Sequence, residues 1–107
     1  MAGTHVLALD LGGSGGRASL LDPRNGEMTT ASRSWSATAI PELGYGFELD
    51  LESYFDKLAQ ATREVLARAQ VAPADVAAIA PAAMRFGIAV LSYSDEVILA
   101  TPNRDAR

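Results

Sequence analysis

Leu11-Gly12-Gly13-Ser14-Gly15-Gly16 is the segment that most restricts what this chain can become. It holds four glycines in six residues, between the apolar run His5–Leu9 with Asp10 and the extended pattern Arg17–Asp22. Glycine lets backbone approach backbone or an anion closely, and it reaches positive φ at low cost. Successive exposed N–H groups in such a turn can cradle an anion. A plain flexible hairpin is the other reading of the same composition. Two common phosphate loops fail on sequence. A Walker loop ends in Gly-Lys-Ser/Thr, and this cluster has no lysine. A dinucleotide fingerprint opens a helix directly, whereas only six residues separate Gly16 from the breaker Pro23-Arg24-Asn25-Gly26. A strand, a glycine turn and a returning strand fit.

The remaining chain extends that start. Pro23–Gly26 favours a second reversal, and Met28–Ala37, rich in Thr and Ser with Trp35, reads as a third strand with one solvated face. Ala39–Phe47, with Pro41 and nearby glycines, reads as a loop. Asp50 is a candidate N-cap for a helix over Leu51–Gln70, where Leu51, Tyr54, Phe55, Leu58, Ala61, Val65, Leu66 and Ala69 recur at helical steps. Packing is expected through Tyr54, Phe55, Leu58, Val65 and Leu66, and Pro73 is expected to end the helix. Val76–Ala80 reads as a strand and Pro81–Gly87 as a loop. Ile88–Tyr93 and Glu96–Ala100 form a hairpin through Ser94-Asp95, and the strands Val76–Ala80 and Ile88–Tyr93 should join the core. The expected fold is α/β, a mixed sheet whose first three strands form an antiparallel meander, with one long helix. Thr101–Arg107 stops without a cap or closing strand, so the chain reads as cut short.

Composition sets the outer limits. The 107 residues, 49% hydrophobic and 21% charged, suffice for one core and are too apolar for disorder. A net charge of −4 argues against nucleic-acid or anionic-membrane partners. Absence of cysteine excludes disulfides, thiolate catalysis and Cys-based zinc sites. Val6–Leu9 is too short for a signal peptide, and no apolar run approaches a membrane span, which leaves the cytoplasm as the expected location.

Four segments carry a resemblance. Asp10–Arg17 is similar to the Asp-x-Gly-Thr-x-x-x-Arg phosphate motif of the FGGY family of carbohydrate kinases. Tyr45-Gly46-Phe47-Glu48-Leu49-Asp50 resembles the family's Gly-Trp-x-Glu-x-Asp before its first long helix. Ala83-Met84-Arg85-Phe86-Gly87 stands where the family has a Gly-Gln-Arg-His-Gly-like substrate loop. Asn103-Arg104-Asp105-Ala106-Arg107 is similar to Trp-x-Asp-x-Arg, and closer to the Tyr-Arg-Asp-x-Arg of rhamnulokinases; xylulokinase-like features are present as well. All four occur in family order across the chain. Gly13 departs from the family's threonine, and Met84, Phe86 and Asn103 depart at expected sugar-pocket positions.

The resemblance implies an actin-like ATPase (ribonuclease H-like) N-terminal domain, with residues 1–107 forming the start of the first domain of a longer kinase. It implies transfer of the γ-phosphoryl group of ATP to a sugar or polyol hydroxyl, with ATP and Mg²⁺ as cofactors. Asp10 would hold Mg²⁺ directly or through water. Ser14 and the N–H groups of Gly12, Gly13 and Gly15 would hold phosphate, and Arg17 would add a cationic fork. Arg85, Phe86 and Asp105 would face the sugar, Asp105 accepting hydroxyls or orienting Arg85. The catalytic base and adenosine site are expected downstream, so this segment alone is expected to be inactive. A homodimer of the full-length enzyme is compatible with the family. Two rival classes remain: a non-catalytic actin-like interaction module, and another actin-like ATPase such as an acetate-kinase-like or chaperone protein.

Overall fold

A computed structural model describes residues 3–44, 46–103 and 105. The glycine cluster does join two antiparallel strands, β1 (His5–Leu11) and β2 (Gly15–Asp22), with Asp10 opposite Arg17 and Leu11 opposite Gly16. Asp22 shapes the next reversal: its carbonyl accepts from Gly26 N–H at 2.8 Å, and its carboxylate accepts from Arg24 N–H at 3.0 Å. Gly26, at φ +77°, supplies the left-handed residue this turn needs. The return strand β3 (Glu27–Ser34) pairs antiparallel with β2. Period-two alternation sends Leu7, Ala18, Leu20 and Ala31 to one face, where they are buried.

That face is covered by α1 (Leu51–Ala69), which packs on β2 and β3. Asp50 caps it as expected, its Oδ1 accepting from Ser53 N–H at 3.1 Å. Tyr54, Leu58, Ala61 and Val65 recur at three- and four-residue steps and are buried. Leu7, Ala18, Leu20, Ala31, Ala61 and Val65 make one core cluster; Trp35, Tyr54 and Leu58 make a second, nearer the glycine turn. Full burial of a side chain such as Leu20 or Val65 stabilises by about 1.5–3 kcal/mol.

Several expectations need correction. Phe55 is exposed and contributes nothing to either cluster. On a helical wheel it lies well off the line through Tyr54, Leu58, Ala61 and Val65, which meets the sheet with Leu66 and Ala69 beside it. The helix ends before Pro73: Gln70 adopts the left-handed conformation at φ 56°, and Gln70 and Val71 N–H bond back to Ala67 and Leu66 carbonyls. Pro73–Asp75 is a short 3-10 turn.

The segment expected to be a loop contains a small ribbon, β4 (Thr38–Ile40) paired with β5 (Gly46–Glu48). The next strand, β6 (Val76–Ala83), runs three residues further than the sequence suggested and pairs parallel with β1. Its Pro81 is admissible because β6 is the sheet edge, in the order β3-β2-β1-β6. Beyond the half-buried Val76, every residue of β6 is exposed, Ile79 by 59%. The expected joining of the core therefore holds for the sheet but not for burial, because α1 lies over β2 and β3. Strands β7 (Ile88–Leu91) and β8 (Val97–Thr101) leave the main sheet and form their own ribbon. No helix is long and apolar enough to cross a membrane among the described residues.

Candidate functional site

The glycine turn is built by close approach rather than by left-handed backbone. None of Gly12, Gly13, Gly15 and Gly16 has a positive φ. A Cβ on Gly15 would sit 2.6 Å from the Arg33 carbonyl oxygen, and one on Gly16 would run into the Trp35 indole. Gly13 differs: a Cβ there meets only Asn103 Oδ1, at an ordinary 3.8 Å. Gly12 N–H donates to the Gly15 carbonyl at 2.8 Å, which closes the turn and occupies that donor. Among the described residues nothing accepts from Gly13 or Ser14 N–H.

Alternation in the strands then gathers the charged groups. Asp10, Arg17 and Ser32 are directly opposite one another across β1, β2 and β3, so all three share the sheet face not covered by α1. All three are exposed. No ion pair joins Asp10 to Arg17 among the described residues, so a structural pair bracketing the turn is not what is formed. Asp10, Gly12, Ser14, Gly15, Gly16 and Arg17, together with Ser32–Ser34, line an open cleft of about 320 Å³. Arg33 and the neighbouring serines were not singled out from sequence. Their signal was available, since the register of a tight meander fixes which residues of the third strand lie beside the turn. Arg33 is tied down elsewhere, donating to the Ser32 carbonyl at 2.9 Å and approaching Glu64 at 3.7 Å.

Arg85 and Phe86 stand on the exposed turn Met84–Gly87 and do not line that cleft. Phe86 holds φ 63° with its side chain 84% exposed, a costly conformation for an aromatic residue and an outlier of the kind found at ligand-binding turns. Asp105 is half-buried, its N–H bonded to the Pro102 carbonyl at 3.2 Å. Tyr45, Arg104, Ala106 and Arg107, which complete the second and fourth motifs, lie outside the described residues.

Although scattered in sequence, the motifs meet. Leu11 and Ala83 are register partners at the carboxyl ends of the parallel strands β1 and β6, so the glycine turn and the Arg85 turn leave the same end of the sheet. Leu49 N–H donates to the Ala100 carbonyl at 2.9 Å, tying the second motif to the strand that leads into the fourth. Asn103, in that fourth motif, stands beside Gly13. Crevices at the carboxyl ends of parallel strands are the usual ligand sites of open α/β sheets.

The donor set suits a magnesium-bound polyphosphate. Mg²⁺ is commonly held by one or two carboxylates, with water and phosphate oxygens completing the shell. One exposed carboxylate, Asp10, beside the Ser14 hydroxyl, two unpaired N–H groups and the Arg17 guanidinium fits that pattern. Among the described residues no cluster of three metal-ligating side chains exists that would cage a metal without phosphate.

Residues 5–101 match the N-terminal domain of the FGGY family of carbohydrate kinases. Autoinducer-2 kinase of Salmonella typhimurium is 29% identical over 106 residues, 99% of this chain and 20% of the relative. The autoinducer-2 kinase of Photorhabdus laumondii is 28% identical over the same length, again covering 99% of this chain and 20% of the relative. Among solved structures, a xylulose kinase from Brucella ovis superposes with TM-score 0.85 at 21% identity, over 96% of this chain and 22% of that one. A xylulose kinase from Rhodospirillum rubrum gives 0.81 at 20% identity, over 96% and 21%. These neighbours carry the actin-like sugar-kinase fold. The chain spans about a fifth of the length of the curated relatives it matches.

Proposed function

This chain belongs to the FGGY family of carbohydrate kinases, and from that premise we propose that it is the opening part of a longer kinase which phosphorylates a sugar or polyol hydroxyl with ATP. The observation that carries the reading is the shared sheet end. Register pairing of Leu11 with Ala83 brings a glycine turn of phosphate type and an arginine-bearing turn to the same end of the sheet. Transfer between two bound substrates needs both held in one geometry, which adjacent turns on a rigid sheet can give.

Roles follow from the donors each turn offers. Bound magnesium ATP supplies the phosphoryl group and much of the neutralising charge. Asp10 orients the metal or its waters, Arg17 pairs with phosphate oxygens, and the Ser14 hydroxyl with the Gly13 and Ser14 N–H groups donates to them. Arg85 presents a planar fork suited to vicinal hydroxyls, with Phe86 and Asp105 on the acceptor side. The proton of the attacking hydroxyl goes to a base outside residues 1–107. The bare surface of β6, with Ile79 exposed, and the exposed Phe55 support further chain packing against this domain.

The test is acceptor-dependent ADP release by the full-length gene product with magnesium ATP. Autoinducer-2, xylulose and gluconate, the substrates named for similar proteins, make the first panel, followed by other ketoses, sugar acids and polyols. Release that rises with one acceptor supports the kinase. Nucleotide binding without release for any acceptor overturns it in favour of an interaction module.

A further inference from the structure

We propose that Trp35 is the positioning residue of the glycine turn, holding it in the form that presents Gly13 N–H to a phosphate. The inference rests on the phosphate reading of that turn. Trp35 follows β3 directly, is 6% exposed, and touches the turn at three alternate residues. Its indole Nε1–H donates to the Gly12 carbonyl at 2.9 Å. Its backbone N–H donates to the Ser14 carbonyl at 3.1 Å. Its six-membered ring fills the space where a Gly16 side chain would be.

The consequence follows from the peptide unit. Gly12 C=O and Gly13 N–H belong to one planar trans peptide, so they point in opposite directions. An indole that holds the carbonyl toward the α1 side therefore aims Gly13 N–H away from itself. A glycine-rich turn without such a tether would sample many orientations of that plane. The tether is itself fixed: the indole stacks on Tyr54 with centroids 4.3 Å apart and planes 8° from parallel. Tyr54 belongs to the capped first turn of α1, and Lys57 of the same helix donates to the Ser34 carbonyl at 3.0 Å, just before Trp35. Helix position is thereby coupled to the shape of the turn.

Trp35→Phe keeps an aromatic ring on Tyr54 and removes the indole N–H. Three readings on the full-length chain decide the matter. Amide exchange at Gly12 and Gly13 should quicken in the variant while Leu20 and Val65 amides are unchanged. Magnesium ATP should bind more weakly, by up to about tenfold, the limit set by the one hydrogen bond that orders the turn, with a melting temperature close to wild type. Equal exchange in the two proteins, or weaker binding only in step with lost stability, overturns the proposal. Should the variant not fold, the wild-type protein answers, because Trp35 is the one tryptophan within residues 1–107. If more tryptophans lie beyond, replacing those by phenylalanine in an otherwise wild-type chain isolates its emission. Magnesium ATP should change that emission or its quenching by acrylamide, and saturation without any change overturns the tether. If wild type binds no magnesium ATP, the phosphate reading fails, and amide exchange alone still judges Trp35.

Discussion

Tyr54 and Phe55 are chain neighbours with opposite fates: Tyr54 is 3% exposed beneath the Trp35 ring, and Phe55 is 72% exposed. One helical step separates a side chain aimed at the sheet from one aimed past it. Tyr54→Ala should therefore cost about 3–5 kcal/mol, the range for emptying a buried aromatic site. Phe55→Ala should change the stability of residues 1–107 by no more than about 0.5 kcal/mol, as for other surface positions. Urea midpoints of the two variants check the contrast. Equal losses would mean that Phe55 is packed.

The hydroxyl of Tyr54 gives a finer test. It is buried with no hydrogen-bond partner among the described residues, and burial together with Asp50 pushes its pKa up. Tyr54→Phe removes a polar group that folding leaves unsatisfied and keeps the ring on Trp35. Stability should be unchanged or raised by about 1 kcal/mol. A clear loss in the denaturation midpoint would reveal a partner for that hydroxyl.

At the far end of the sheet, hydrogen bonds from the Arg24 side chain and N–H lower the Asp22 pKa from the usual 3.8 to about 2. A depressed carboxylate pKa favours the folded state above the unfolded pKa, and the contribution fades as protonation sets in. The contribution is thus full above about pH 4 and disappears as pH falls toward 2. Thermal melts from pH 6 to pH 2 should fall less steeply for Asp22→Asn than for wild type. Parallel curves would show that the carboxylate is not coupled to folding.

The glycines of the turn should respond unequally to substitution. Gly16→Ala drives a methyl into the indole and should cost about 1–3 kcal/mol, as overpacking does. Gly13 has ordinary space and no left-handed backbone, so Gly13→Thr should fold normally and add a hydroxyl to the turn next to Ser14. Tighter magnesium ATP binding with an unchanged melting temperature is the expected result, read by calorimetry. A destabilised Gly13→Thr protein would mean that the turn cannot accept a side chain.

Local physics made part of this fold legible. The Asp50 cap and the spacing of Tyr54, Leu58, Ala61 and Val65 are short-range signals, and helix and cap formed where they indicated. The glycine cluster and Pro23–Gly26 fixed two reversals, and with them the cross-strand neighbours of Asp10 and Arg17. Burial was less legible because it depends on what lies opposite. Phe55 and Ile79 look like core residues, but α1 packs chiefly on β2 and β3, Phe55 is aimed past the sheet, and Ile79 lies on the outer strand. The parallel pairing of β6 reached through Pro81 because an edge strand tolerates a missing donor. Trp35 packs as an aromatic residue at the end of a strand can be expected to, stacked on Tyr54. Its bond to Gly12 spans 23 positions and no local pattern announces it.

The last prediction divides labour between the two turns. Asp10 and Arg17 share the glycine-turn cleft, whereas Arg85 stands on the neighbouring turn outside it. If the proposed roles hold in the full-length protein, Asp10→Ala removes a group whose interaction with metal and γ-phosphate matters most as charge moves. Its kcat should fall on the order of a hundredfold, comparable to deleting one preorganised stabiliser of developing charge. The sugar KM should stay nearly unchanged. On the proposed acceptor-side role of Arg85, Arg85→Ala would remove hydroxyl contacts made already in the ground state, so the sugar KM should rise with a smaller change in ATP KM. On the proposed placement of the base and of the opposite wall outside them, residues 1–107 by themselves should turn over nothing and bind nucleotide weakly. Steady-state kinetics with each substrate varied separates the roles. An Asp10→Ala enzyme with full kcat would remove the phosphate assignment, and an Arg85→Ala enzyme altered only toward ATP would move Arg85 to the nucleotide side.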